Sequence, residues 1–130
     1  MEDTVGCLQP RMPVTLPLGA SVAEAVQILL DEDVGAVLVV DDDGTLAGIF
    51  SERDLLTKVA GSATPFAELP VKQFMTPKPQ VVTVDDKLAF ALQQMDVGGY
   101  RHLPVVRDGK PVGILSVRDL IRHLTRMCKG

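Results

Sequence analysis

Two short runs in this 130-residue chain place hydroxyl, guanidinium and carboxylate at one spacing: Ser51-Glu52-Arg53-Asp54 and Ser116-Val117-Arg118-Asp119. Ser-x-x-Asp is a helix-opening pattern, in which the two side chains satisfy orphan N–H groups of the first turn. The same carboxylate sits at the positive end of the helix dipole, which keeps it ionised and favours anions nearby. An ionised carboxylate is a strong acceptor, contributing roughly 1.5–3 kcal/mol per hydrogen bond. Capping and ligand binding are both open on spacing alone, and one carboxylate can serve both.

Each run lies inside a longer repeat. Gly48-Ile49-Phe50-Ser51-Glu52-Arg53-Asp54-Leu55 returns as Gly113-Ile114-Leu115-Ser116-Val117-Arg118-Asp119-Leu120, identical at six of eight positions and displaced by 65 residues (119 minus 54). A repeat of half the chain indicates one supersecondary unit used twice. Cations gather in the second half. Arg118, Arg122 and Arg126 recur every four residues; the helix C-terminal dipole accounts for Arg122 and Arg126, whereas Arg118 falls in a first turn that disfavours it. Lys78 and Lys110 read as solvated. Asp41-Asp42-Asp43-Gly44 lacks the spaced carboxylates and closing Glu of a calcium loop and reads as an acidic turn. Cys7 and Cys128 have no Cys or His partners at metal spacing and read as reduced thiols. No nucleophile–base pair, Gly-rich phosphate loop or dinucleotide fingerprint occurs, so no catalytic or metal residues are expected.

The elements that must position these groups follow the same order twice. Residues 1–13, broken by Pro10 and Pro13, read as a lead-in. Val14-Thr15-Leu16 is a short strand. Ser21 and Glu24 form a capping box, followed by Val22, Ala25, Val26 and Leu29 on one face of a helix ending near Asp33. Residues 36–40 form a buried strand, 41–44 a turn and 46–50 a returning strand; Ser51 opens a helix to about Ala60. After a Pro-rich connector the order repeats: a strand over 81–84, a helix marked by Leu88, Ala91, Leu92 and Met95 and ended by Gly98-Gly99, a hairpin turning at Asp108-Gly109, and a last helix to about Met127. The fold class is therefore α+β, a mixed α/β chain of two β-α-β-β-α repeats. Neither repeat covers a sheet on both faces, so the two are expected to pack about a pseudo-twofold axis. The boundaries are 8–61 for the first repeat, 62–76 for the connector and 77–127 for the second.

Composition bounds the rest. A 46% hydrophobic content with 4% aromatics implies a core of Val, Leu, Ile, Ala and Met. The net charge of −4 divides into −8 over residues 1–76 (4 basic, 12 acidic) and +4 over residues 77–130 (9 basic, 5 acidic). An acidic whole argues against nucleic-acid binding, while the basic half can hold a small anion. No apolar run approaches the roughly 20 residues of a membrane span, and the acidic start is unlike a signal peptide. A cytoplasmic protein is expected.

Two β-α-β-β-α units ending in G-I-x-S-x-R-D-L, with Met75-Thr76-Pro77 ahead of the second and Arg101-His102-Leu103-Pro104-Val105-Val106 within it, resemble a tandem pair of cystathionine-β-synthase (CBS) domains, a Bateman module. The likeness spans about residues 8–126. It implies two clefts between the repeats, many of which in this family bind adenosine-containing ligands. It assigns the helix-opening Asp to the ribose hydroxyls and the preceding Ser to the cleft lining. By position the first site then comprises Ser51, Arg53 and Asp54, with Thr15 and Leu16 from the first strand and Gly35 and Ala36 from the second. The second comprises Ser116, Arg118 and Asp119, with Val82, Thr83 and Val84, and Arg101 and His102. Arg101 and His102 are the phosphate candidates, and their Gly35-Ala36 counterparts carry no charge. The resemblance implies a non-enzymatic regulatory module that needs no cofactor, senses AMP, ADP, ATP or a relative, and acts on a partner protein. The alternative is a purely structural interaction module with empty clefts. Association of such modules through their helices, here Val22–Asp33 and Leu88–Asp96, implies a homodimer.

Overall fold

The computed structural model describes residues 3–129, and of residues 127–129 the backbone alone. The side chain of Cys128 therefore lies outside the described residues. The chain divides into two units, residues 14–79 and residues 1–13 with 80–130.

In the first of these units, Ser21 opens helix α1 (Val22–Asp31) with the capping box its sequence implies: Glu24 N–H donates to Ser21 Oγ, and Glu24 accepts from Ser21 N–H. The apolar face of α1, with Val22, Ala25 and Leu29 buried, covers a sheet ordered β1 (Thr15–Pro17), β2 (Ala36–Val40), β3 (Leu46–Ser51) and β4 (Thr76–Pro77). β1 runs parallel to β2, and β2–β3 and β3–β4 are antiparallel. β2, paired on both sides by β1 and β3, is buried over four consecutive residues, Ala36 to Val39, each large side chain contributing about 1.5–3 kcal/mol on burial. Asp41 turns the hairpin, its Oδ1 accepting from Asp43 and Thr45 N–H. The side-chain hydrogen bond with Asp43 is the main cause that raises the Asp41 carboxyl above its usual pKa. Beyond β3 come α2 (Glu52–Asp54), a π-helical turn (Leu55–Val59) and, within the connector, α3 (Val71–Phe74). The π turn, closed by Ala60 N–H on Leu55 O, replaces the regular helix expected to Ala60.

The second unit repeats the plan with α4 (Leu88–Gly98), β5 (His102–Arg107), β6 (Lys110–Ser116) and α5 (Val117–Lys129). Gly99, at φ 70°, ends α4 in the left-handed conformation open to glycine. Asp108 and Gly109 both have positive φ, the two-residue turn that suits a twisted hairpin.

Two further expectations need correction. The strand expected over residues 81–84 is a single parallel bridge, Val82 to Val105; Thr83 N–H turns aside to Asp86 Oδ2 at 2.8 Å, and the chain enters a turn at Val84 and Asp85. Residues 3–13 are not a loose lead-in. Val5 is fully buried in the core of the second unit, with its N–H on Asp86 O and Gly6 N–H on Val84 O. Arg11 bridges Ile114 on the open edge of β6. Backbone groups that find no partner in their own half are satisfied here by the N-terminal segment.

Candidate functional site

The two Ser-x-x-Asp runs close the same reciprocal cap. Ser51 N–H and Oγ–H donate to Asp54 Oδ2 at 2.9 and 3.1 Å, and Asp54 N–H donates to Ser51 Oγ at 3.3 Å. In the second copy the corresponding distances for Ser116 and Asp119 are 2.9, 3.0 and 3.2 Å. The cap occupies Oδ2 alone. The other carboxylate oxygen, Oδ1, faces cations that differ between the copies. On Asp54 it meets Lys58 Nζ at 2.9 Å, and that ammonium also donates to Phe74 O. On Asp119 it has Arg122 Nη1 at 3.6 Å and Arg11 Nε at 3.9 Å.

Each motif meets the start of its neighbouring strand in the same way. Glu52 N–H donates to Gly35 O, and Val117 N–H to Arg101 O, both at 3.0 Å. Ala36 lies across the ladder from Ser51, and His102 across from Ser116. Gly35 and Ala36 thus stand beside Ser51 and Glu52 at the head of the first motif and bring no cation; Arg101 and His102 stand beside Ser116 and Val117 at the head of the second, with Arg101 exposed and His102 half-buried. Arg53 and Arg118 are exposed on the first turns. Thr15 and Leu16 pair with Leu38 and Val39, one strand beyond Ser51, which separates them from the motif by roughly two strand spacings, about 10 Å. Val82 stands likewise beyond β5, with its N–H on Pro104 O and its carbonyl accepting from Val106. Within one unit the sheet order therefore sets the first strand apart from its own carboxylate. Among the described residues no three His, Cys, Asp or Glu are grouped to hold a metal, and no helix is long and apolar enough to cross a membrane.

The glycine that opens each motif is explained by what passes over it. A Cβ at Gly48 would lie 2.5 Å from Met75 Sδ and 2.8 Å from Thr76 O; one at Gly113 would lie 2.9 Å from Pro10 Cβ. Thr76 pairs with Ile49 in the first unit, and Arg11 bridges Ile114 in the second. Thr76 and Arg11 are equivalent crossing residues. Sequence reasoning missed Lys58, Arg11 and the placement of Arg122. Lys58 and Arg122 follow their Asp by four and three residues and were legible as helix neighbours. Arg122 is the sixth residue of the thirteen in α5, so it neighbours Asp119 rather than the helix C-terminus. Arg11, 108 positions from Asp119, carries no local signal.

Comparison with known proteins agrees with this geometry. The model of the CBS domain family matches residues 7–61 and again 71–126. The Arabidopsis thaliana CBS domain-containing protein CBSCBSPB5 is 35% identical over 116 residues, 89% of this chain, which spans 21% of that protein's length. An Acidianus ambivalens 17.7 kDa protein is 35% identical over 105 residues, 80% of this chain and 62% of that one. Among solved structures, the CBS domain protein PAE2072 from Pyrobaculum aerophilum complexed with AMP superposes with a TM-score of 0.84 at 28% identity, covering 98% of this chain and 99% of that one. CBSX2 in complex with AMP gives 0.81 at 29% identity over 97% and 98%. Two matched domains, one around each Ser-x-x-Asp cap, make this chain a member of the CBS domain family, a tandem CBS pair.

Proposed function

We propose that this CBS pair is a regulatory binding module for an adenosine-containing nucleotide, held at its Ser-x-x-Asp motifs. The observation that carries the reading is the division of labour on each carboxylate. Oδ2 belongs to the cap and Oδ1 is turned to solvent-exposed cationic side chains, so ribose hydroxyls can be accepted without breaking the helix start. The AMP complexes of PAE2072 and CBSX2 support an adenine nucleotide as the ligand class. Arg101 and His102 at the head of the second motif favour phosphate there; Gly35 and Ala36 do not at the first. Signalling works by population shift, in which the nucleotide favours whichever conformation it binds more tightly and a partner protein reads the difference. The module acts by binding rather than catalysis, and as a homodimer.

One observation favours the second reading, a structural interaction module with empty sites. Both caps are complete without ligand, and Lys58 already occupies Asp54 Oδ1. Thermal shift with adenosine, AMP, ADP and ATP separates the two. A nucleotide at 100 times its dissociation constant adds about 2.7 kcal/mol of stability. No shift with any of the four, and no heat in calorimetry, would establish the structural reading instead.

A further inference from the structure

The two motifs have equivalent crossing residues of different chemistry: Thr76 beside the first, Arg11 beside the second. Thr76 brings no charge. Arg11 sets its guanidinium 3.9 Å from Asp119 Oδ1, with Arg122 on the same oxygen at 3.6 Å. Both distances exceed hydrogen-bonding range, and both arginine side chains are more than half exposed, at 59% and 54%. Pairs this loose and solvated hold their partners weakly. At the first motif Lys58 sits at 2.9 Å and is tied to Phe74 O as well. The second carboxylate is thus flanked by two guanidiniums that can leave it at little cost. A planar guanidinium suits a phosphate through paired N–H donors.

We infer that Arg11, delivered by the N-terminal segment, makes the second motif selective for a phosphorylated nucleoside over the bare nucleoside. When the ligand enters, Arg11 turns from Asp119 to the phosphate while Asp119 Oδ1 accepts the ribose hydroxyls, and Arg122 makes the same turn in support. One cation thus serves two purposes, screening the carboxylate when the site is empty and reading the anion when it is filled. The equivalent crossing residue of the first motif, Thr76, carries no charge, and that motif discriminates less. This inference rests on the adenosine-nucleotide reading above.

Calorimetry on the full chain with adenosine and AMP tests it in wild type, Arg11→Gln and Arg11→Lys. Arg11→Gln should weaken AMP at the tighter site about tenfold or more, leave adenosine within about twofold, and leave the ligand-free melting temperature nearly unchanged, because the side chain is exposed. Arg11→Lys should restore part of the AMP preference, since it keeps the charge but not the paired donors. An unchanged ratio of AMP to adenosine affinity in Arg11→Gln overturns the inference while leaving nucleotide binding intact. An equal loss of both ligands also overturns it, by showing that Arg11 only positions Asp119. Wild-type protein that binds neither ligand removes the nucleotide reading itself, and the role of Arg11 with it.

Discussion

Asp119 is structural at one carboxylate oxygen and, in the proposed function, binds ligand through the other. Its Oδ2 closes the cap and its Oδ1 faces Arg11 and Arg122, so substitutions separate the roles by what they remove. Asp119→Asn keeps a hydrogen-bonding oxygen and removes the charge. As a cap change it should cost up to about 1 kcal/mol of stability in chemical denaturation. As the ribose acceptor it should also cost roughly 1–3 kcal/mol of nucleotide affinity, ten- to a hundredfold. Deoxyadenosine nucleotides should bind wild type with a similar loss and the variant with little further loss, because both changes delete one interaction. If the variant melts lower yet binds ribose and deoxyribose nucleotides as wild type does, Asp119 is a cap alone. Ser116→Ala, which leaves the carboxylate in place, should lower stability by about 1 kcal/mol and affect affinity less.

At the scale of elements, the crossing segments decide what each motif strand tolerates. Gly48 lies in the middle of β3, where a larger residue would ordinarily pack better, but Met75 and the Thr76 backbone pass directly over it. The Thr76 oxygen cannot swing aside as a flexible side chain does. Gly48→Ala should therefore destabilise the chain by roughly 1–3 kcal/mol, the usual cost of overpacking. Denaturant melts of that variant giving wild-type stability would mean that β4 is free to lift from β3. The N-terminal segment makes the same point in the second unit. Val5 is fully buried beside Leu88 and Leu103 in that core, so Val5→Ala should cost about 2 kcal/mol, two methyl groups of burial plus a cavity. A segment that only led into the first strand would tolerate the change.

For the whole molecule, the two motifs are equal in cap geometry and unequal in charge. Titration with AMP should therefore give one tight site, or two unequal ones, per chain; two equal sites would mean that Arg101, His102 and Arg11 add nothing to phosphate binding. Assembly is a separate matter. Leu30 on α1, Phe90 and Val97 on α4, and Ile121 on α5 are exposed apolar side chains on helices, which suits the proposed association through helices. Light scattering at tens of micromolar should report twice the chain mass, and the single-chain mass at that concentration would end the dimer proposal.

Local chemistry made much of this legible in advance. Ser21 and Glu24, three residues apart before an apolar helix face, specify a capping box without help from distant residues, and the box is there. The two Ser-x-x-Asp caps, the run from Ala36 to Val39 and the Asp108-Gly109 turn are of the same kind, since each depends on residues within a helical turn or one hairpin. The repeat of 65 residues supplied the element order. Long-range pairing was not legible. Val81-Val82-Thr83-Val84 has the composition of a strand, yet Asp86 draws Thr83 N–H aside and only Val82 keeps a bridge to β5. Residues 1–13 read as a Pro-broken lead-in, yet Val5 and Gly6 find their hydrogen bonds on Asp86 and Val84, some 80 positions away. Arg11 becomes a neighbour of Asp119 only because β6 has an open edge that the N-terminal segment fills. Side-chain type and spacing determined the caps, the hairpins and the carboxylates. Which cation stands beside each carboxylate was decided by tertiary structure, because backbone groups left unpaired at a sheet edge must find partners wherever the chain can supply them.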